Sequence, residues 1–317
     1  MSSMRSKKSN PDHDDSDRLT FVTVVHPNSY SEKNATLLIR SIREFAGRLA
    51  SPRILSMIPF DGGNEPTQTR ARLEELGSDT LCCELGPEEL EFPFIAEARC
   101  ASEAEKAVSG NTEVLAWLLP NTIVLNEPID FMLGEEMELA YRPVHHRLLG
   151  SAVDEPLDFF WTSIYNVCGV GEEQVFAMVP HVEEREIRPY FNAGILVYRP
   201  ATRLLSRCDD LFESVYLKPE FMRFYETDSR YRIFMHQAVL TGVILKTIRR
   251  ANMLELPDTY NYPVHLHDED STPGRPDLVD NLITVRHEGF HRNPDWASRF
   301  PAGNGLKRWI AGVLSTF

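Results

Sequence analysis

The chain has 317 residues, 33 Lys+Arg against 47 Asp+Glu for a formal net charge of −14, with 42% hydrophobic and 25% charged residues. That length permits one large α/β domain or two small ones, with enough interior for a core that needs no staples. The 10% aromatic content excludes disorder of the whole chain, and the acidic surplus disfavours nucleic acid and anionic membrane as partners.

Residues 1–18 mix both charges without an apolar stretch, and read as a disordered tail rather than a signal peptide. Leu19–His26 is β-branched and apolar, a buried strand closed by Pro27-Asn28. Glu32–Leu49 carries Leu37, Leu38, Ile42 and Phe45 at helical spacing. Strands over Arg53–Ile58, Asp79–Leu85 and Glu113–Leu119 then alternate with helices over Thr67–Leu76 and Phe92–Val108. This alternation demands right-handed crossovers and a parallel sheet covered on both faces. The expected class is α/β: one domain over 19–317, its mainly parallel central sheet flanked by helices. In such sheets ligands bind beyond the carboxyl ends of the strands, which here selects Pro27–Tyr30, Pro59–Gly63 and Leu119–Thr122. No glycine-rich dinucleotide or P-loop motif follows any of these strands, which disfavours those two readings.

The five cysteines (Cys82, Cys83, Cys100, Cys168 and Cys208) lack any CxxC or zinc-like spacing and read as reduced thiols of a cytoplasmic protein. The most apolar run, Val114 to Leu125, is interrupted by Pro120-Asn121-Thr122 and is too short to span a bilayer. Further on, Glu138–Pro143 reads as a strand, Leu157–Val167 as an aromatic-rich helix and Arg188–Pro200 as an apolar strand. Helices are expected over Arg203–Leu217 and Arg230–Leu245, a late strand over Asn281–His287, and a last helix from about Leu306. His265–Pro276 reads as a polar loop with no buried face; its His265, His267, Asp268, Glu269 and Asp270 read as a solvated charge run, with a metal site as the alternative. Asp154 and Glu155 read as first-turn acids that complement a helix dipole. Phe159, Phe160, Trp161 and Tyr165 read as core, with stacking on sugar faces as the alternative; His145-His146 with Arg142 and Arg147 read as an exposed basic patch, with contact to an acidic sugar or phosphate as the alternative. No GxSxG elbow is present, which argues against a serine hydrolase of that type.

Six segments occur in a telling order: VTVVHPNSYSEKNATLLIRSI, EVLAWLLPNTIVLNEP, PYFNAGILVYRP, FMHQAVLTGVI, LPDTYNYP and VRHEGFHRNPDW. Together they resemble the nucleotide-sugar-dependent glycosyltransferases of the GT-A fold, closest to the glycogenin/galactosyltransferase-like family eight. The resemblance implies transfer of a hexosyl group from a nucleoside-diphosphate sugar to a hydroxyl acceptor, a saccharide or small molecule. Residues 19–125 would form the nucleotide-binding half and 126–317 the acceptor and sugar half. By position, Tyr30 would stack on the donor base, while Asn192 and Gly194 would flank the sugar. Gln237 would lie near the reacting carbon, making Gln237 and Asn192 the implied catalytic pair. Asn121, Arg142, His287 and Arg292 would join Tyr30 and Gly194 around the donor.

One departure stands out. The family's Asp-x-Asp, whose carboxylates hold a divalent cation against the donor phosphates, aligns here with Leu119 and Asn121 around Pro120. No metal ligand is therefore assigned, and a role for Mn²⁺ or Mg²⁺ is left open. His236 likewise replaces the acid expected before Gln237. Either cationic side chains take over the metal's task, drawn from Arg142, Arg188, Arg286, His287, His291 and Arg292, or the chain is a catalytically silent sugar-nucleotide binder or scaffold.

Overall fold

The computed structural model describes residues 18–317, so the expected N-terminal tail, apart from Arg18, lies outside the described residues. Leu19–Val24 (β1) is buried along its whole length and leads through a short turn into Ser29–Phe45 (α1). Asn28 sets that helix start: its backbone is extended and its Oδ1 accepts the Ser31 N–H at 2.9 Å. Arg53–Phe60 (β2), Thr67–Glu75 (α2), Asp79–Glu84 (β3), Pro87–Glu91 (α3), Ile95–Val108 (α4), Val114–Leu118 (β4) and Thr122–Val124 (β5) follow. The helix expected to begin at Phe92 begins at Ile95 instead. Pro93 disfavours helical backbone at Phe92, and Phe94 takes a left-handed conformation at φ 64°.

The second half contains Leu139–Pro143 (β6), Phe159–Cys168 (α5), Phe191–Tyr198 (β7), Leu204–Val215 (α6), Pro219–Thr227 (α7) and Ser229–Thr247 (α8). It ends with Met253–Glu255 (β8), Tyr262–Pro263 (β9), Thr284–Arg286 (β10), Trp296–Arg299 (α9) and Asn304–Leu314 (α10). The helix α7 was not expected. It starts on Pro219, whose fixed φ suits a first helical position.

Seven strands form the central sheet in the order β3-β2-β1-β4-β7-β6-β8, and β7 alone runs antiparallel to its neighbours. The mainly parallel α/β sheet expected from the alternation is the one found. Its strand order turns back beside β1, with β2 on one side and β4 on the other, so a crevice opens past the carboxyl ends of β1 and β4. A second sheet, β5-β10-β9, folds across that end. Side-chain alternation divides the core: Val22, Val24, Leu115 and Trp117 pack on one face, with Phe21, Val25, Ala116 and Leu118 on the other.

Four local expectations are overturned. Asp158, not Asp154 or Glu155, caps α5, its Oδ1 accepting the Trp161 N–H at 2.8 Å; Asp154 and Glu155 instead hold Arg185 at 2.8 and 2.7 Å. The loop from His265 does have a buried face. His267 and Asp270 are buried, and the Tyr262 hydroxyl donates to Asp270 at 3.1 Å and lies 2.9 Å from His267 Nδ1. His145 and His146 are not an exposed patch: His145 Nε2 donates to the Asn261 carbonyl at 2.9 Å, and His146 meets Glu183 at 3.3 Å. Phe160, Trp161 and Tyr165 are core as expected, whereas Phe159 is 87% exposed. Among the described residues no helix is long and apolar enough to cross a membrane, and all five cysteines are free thiols.

Candidate active site

The crevice is assembled by backbone before any side chain enters it. Past β4, the Leu119 N–H donates to the Gly194 carbonyl at 3.0 Å, which lays Leu119-Pro120-Asn121 alongside the start of β7. Asn121 then grips the end of β10: its Nδ2 donates to the His287 carbonyl at 2.7 Å, and the His287 N–H returns to the Asn121 carbonyl at 3.0 Å. On β7, Asn192 Oδ1 accepts the Gly194 N–H at 2.9 Å. From α8, Gln237 Oε1 accepts the Ala193 N–H at 3.0 Å. Both carboxamide oxygens are thereby engaged; the Asn192 amide nitrogen remains as a donor to the cleft, while the Gln237 amide also acts on the buried Tyr190 hydroxyl.

One cleft brings together Leu119, Asn192, Gly194, Gln237 and Arg286 with His145, His236, His265 and Glu288, while Asn121 and His287 stay outside its lining. Gly194 has a steric reason to be glycine, since a Cβ there would lie 2.3 Å from Arg286 Nη1. Burial lowers the guanidinium's pKa without discharging it. Burial also pushes His145 well below the ordinary histidine value and His236 down to about 4, so both rings are neutral near pH 7. His236 Nδ1–H donates to the Ile233 carbonyl at 3.0 Å while the ring stacks on Phe94 at 4.1 Å. The strained backbone at Phe94 thus serves to cover one wall of the cleft. Nearby, His26 and Glu97 pair at 2.9 Å. The hydrogen bond to Glu97 raises the imidazole's pKa; burial pushes the carboxyl up, but His26 pulls it below its ordinary value.

Other expected site residues do not line this cleft, although Tyr30 is near enough to act on the Arg286 charge. The Tyr30 ring is sandwiched: Arg292 lies over it at 3.8 Å, and Gly289, at φ 75°, approaches so closely that a Cβ would sit 2.6 Å from the ring. Arg142 lines a different cavity, where it donates to the Leu256 carbonyl and to Asp258, both at 2.6 Å. Arg188 is committed to Ser151, Ala152 and Glu155, and His291 Nε2 meets Asn34 Oδ1 at 2.7 Å. His287 is buried, its Nδ1 accepting the Gly289 N–H at 3.1 Å, and its ring faces a neighbouring pocket beside Phe290 and Trp296. Sequence reasoning gave no role to Phe94 and read His145 as surface first, with contact to an acidic sugar or phosphate as the alternative. The one sequence signal for Phe94 was the Phe-Pro-Phe interruption ahead of an alanine-rich helix.

The residues at the family's metal position bring no carboxylate to a divalent cation. Leu119 offers no donor atom, and Asn121, its nitrogen held on the His287 carbonyl, offers one neutral amide oxygen in place of a carboxylate. Among the described residues no group of three or more His, Cys, Asp or Glu is placed to hold a metal, the His265–Asp270 loop included.

No family model matches the chain, and no curated protein sequence matches it. Among solved structures, the galactosyltransferase LgtC in complex with donor and acceptor sugar analogues matches at TM-score 0.50 and 11% identity, over 94% of this chain and 96% of that one. An active-site mutant of LgtC matches at TM-score 0.50 and 13% identity, over 92% and 95% of the two chains. The glycosyltransferase GlyE of Streptococcus pneumoniae TIGR4 matches at TM-score 0.44 and 14% identity, over 94% of this chain and 60% of that one. The likeness to LgtC is one of fold: this chain has the GT-A fold that the six segments implied.

Proposed function

We propose that the protein is a glycosyltransferase that moves a hexosyl group from a nucleoside-diphosphate sugar to a hydroxyl acceptor, and does so without an Asp-x-Asp metal site. The observation that carries this reading is the convergence of Asn192, Gly194, Gln237 and Arg286 in one cleft at the carboxyl edge beside β4. The Asn192 amide nitrogen is oriented by its bonded oxygen, which suits it to hold a sugar hydroxyl in a fixed pose, and Gln237 holds the Ala193 backbone beside it. Departure of a nucleoside diphosphate builds negative charge on its phosphates, and catalysis requires positive charge aimed there. Neutral His145 and His236 leave guanidinium as the group in this cleft suited to that task.

A catalytically silent binder is the competing reading. It is favoured by Arg292 over the Tyr30 ring, the face on which a base would stack, and by the absence of a carboxylate at positions 119 and 121. The test is consumption of radiolabelled UDP-, GDP- and ADP-hexoses with a panel of saccharide acceptors, each in EDTA and in Mn²⁺. Transfer that persists in EDTA is expected. Binding of a donor that is never consumed, with acceptor or with water, would establish the silent reading instead.

A further inference from the structure

Arg286 is unusual among the arginines of this protein. Its side chain is only 14% exposed, and its Nη1 is buried without a partner. Among the described residues its guanidinium makes no hydrogen bond. Its nearest carboxylate oxygen, Glu288 Oε1, stands 3.8 Å from Nε, beyond hydrogen-bond reach. Arg142 and Arg199, also largely buried, each bond to backbone carbonyls and to a carboxylate. A buried charge without acceptors costs stability, and an apolar side chain of similar size would fill the same space at no such cost. Yet the fold keeps room for this one, since the space a Gly194 Cβ would occupy is taken by Nη1. The carboxamides of Asn192 and Gln237 line the same cleft, and Leu119 beside them brings no oxygen.

We propose that Arg286 is an anion anchor whose guanidinium takes a phosphate or diphosphate group directly, with no divalent cation between them. The planar fork of arginine matches two phosphate oxygens at once, and a charge already stripped of water has little solvation left to lose when the anion arrives. Glu288, 57% exposed and at the rim, is the competing negative charge that the incoming phosphate displaces. The inference deepens the glycosyl-transfer reading by naming the group that receives the donor's charge.

The test uses inorganic pyrophosphate on the full chain, with glucuronate as the carboxylate control, by calorimetry in EDTA and again in Mn²⁺. Pyrophosphate is expected to bind equally in both. Arg286→Gln should weaken it about 10- to 100-fold, the range of a lost charge-assisted hydrogen-bond pair, and Arg286→Lys should fall between. Glu288→Gln, an exposed change that leaves folding intact, should tighten binding roughly twofold or more. Binding that requires Mn²⁺, that ignores both substitutions, or that prefers glucuronate overturns the anchor. If Arg286-dependent pyrophosphate binding is found but no sugar nucleotide is consumed, the anchor stands and the transferase reading fails. If donor turnover is unchanged in Arg286→Gln, the transferase reading stands and the anchor fails.

Discussion

Arg142 and Arg286 sit at the ends of two strands, in RP and RH dipeptides that look alike on the page. Arg142, at the end of β6, is 4% exposed and answered on every side, by the Leu256 carbonyl, by Asp258 and by His181 Nδ1 at 3.1 Å. Arg286, at the end of β10, is less enclosed, with 14% of its side chain exposed, and makes no hydrogen bond, the Glu288 carboxylate standing 3.8 Å away. The first is a structural clamp that ties β6 to the chain after β8. The second is a charge held ready, in a cleft that also presents the Asn192 and Gln237 carboxamides. Satisfaction of hydrogen bonds, more than burial or charge, separates the two roles.

The largest effect should come from exchanging each arginine for methionine. Arg142→Met leaves the Leu256 carbonyl without its donor and should lower unfolding free energy by about 2–4 kcal/mol in urea melts. Arg286→Met removes an unanswered charge and should leave stability within about 1 kcal/mol of the native chain, or raise it, while pyrophosphate binding is lost. Equal destabilisation of the two variants would erase the distinction.

The next effect is a broad loss of stability in acid. Burial depresses the pKa of His145, His181, His236, His267 and His287 below the ordinary 6.5. Between that value and the lower folded values the unfolded chain binds more protons, so stability holds above pH 6.5 and falls as pH drops. Urea midpoints measured from pH 7.5 down to 4.5 should decline across the window, and a flat profile would show that these rings are not shielded as described.

A smaller effect is expected at Gly194. A methyl group there forces Nη1 away from its seat, so Gly194→Ala should cost about 1–3 kcal/mol of stability through overpacking and weaken pyrophosphate binding as well. Restored stability in the double variant Gly194→Ala, Arg286→Met would show that the two residues share one space. The smallest effect belongs to His26. Its pKa is raised by the Glu97 hydrogen bond, so the pair's contribution is complete below pH 6.5 and fades as pH rises through the raised value. His26→Gln should therefore lower the urea midpoint more at pH 6 than at pH 8.5.

How much was legible beforehand differs between the halves of the chain. In residues 19–125 the runs LTFVTVV and EVLAWLL declare buried parallel strands because both of their faces are apolar, and β1 and β4 formed where expected. The main miss was local, the start of α4, where Pro93 and the left-handed Phe94 override an otherwise helical pattern. In residues 126–317 the short strands β8, β9 and β10 have two or three residues each, too few for any periodicity to register. The polar run HLHDED looked solvated, yet two of its members turn inward because Tyr262 offers them a buried hydroxyl. Asn192 and Gln237 were picked out by motif and do meet in one cleft; Arg142 lines another cavity, and Tyr30, beneath Arg292, lies beyond the cleft lining but within electrostatic reach of Arg286.

What the amino-acid order determined by itself was the layered α/β architecture and its mainly parallel sheet. Apolar periodicity and turn residues act over a few neighbouring positions and are written directly along the chain. What only tertiary structure decided was the allocation of charge: which arginine is answered and which is left open, which histidine is neutral, and why Gly194 carries no side chain. Those outcomes depend on partners far away in the chain, such as Leu256 for Arg142 and Gly194 for Arg286, and on how much water the packing leaves around them.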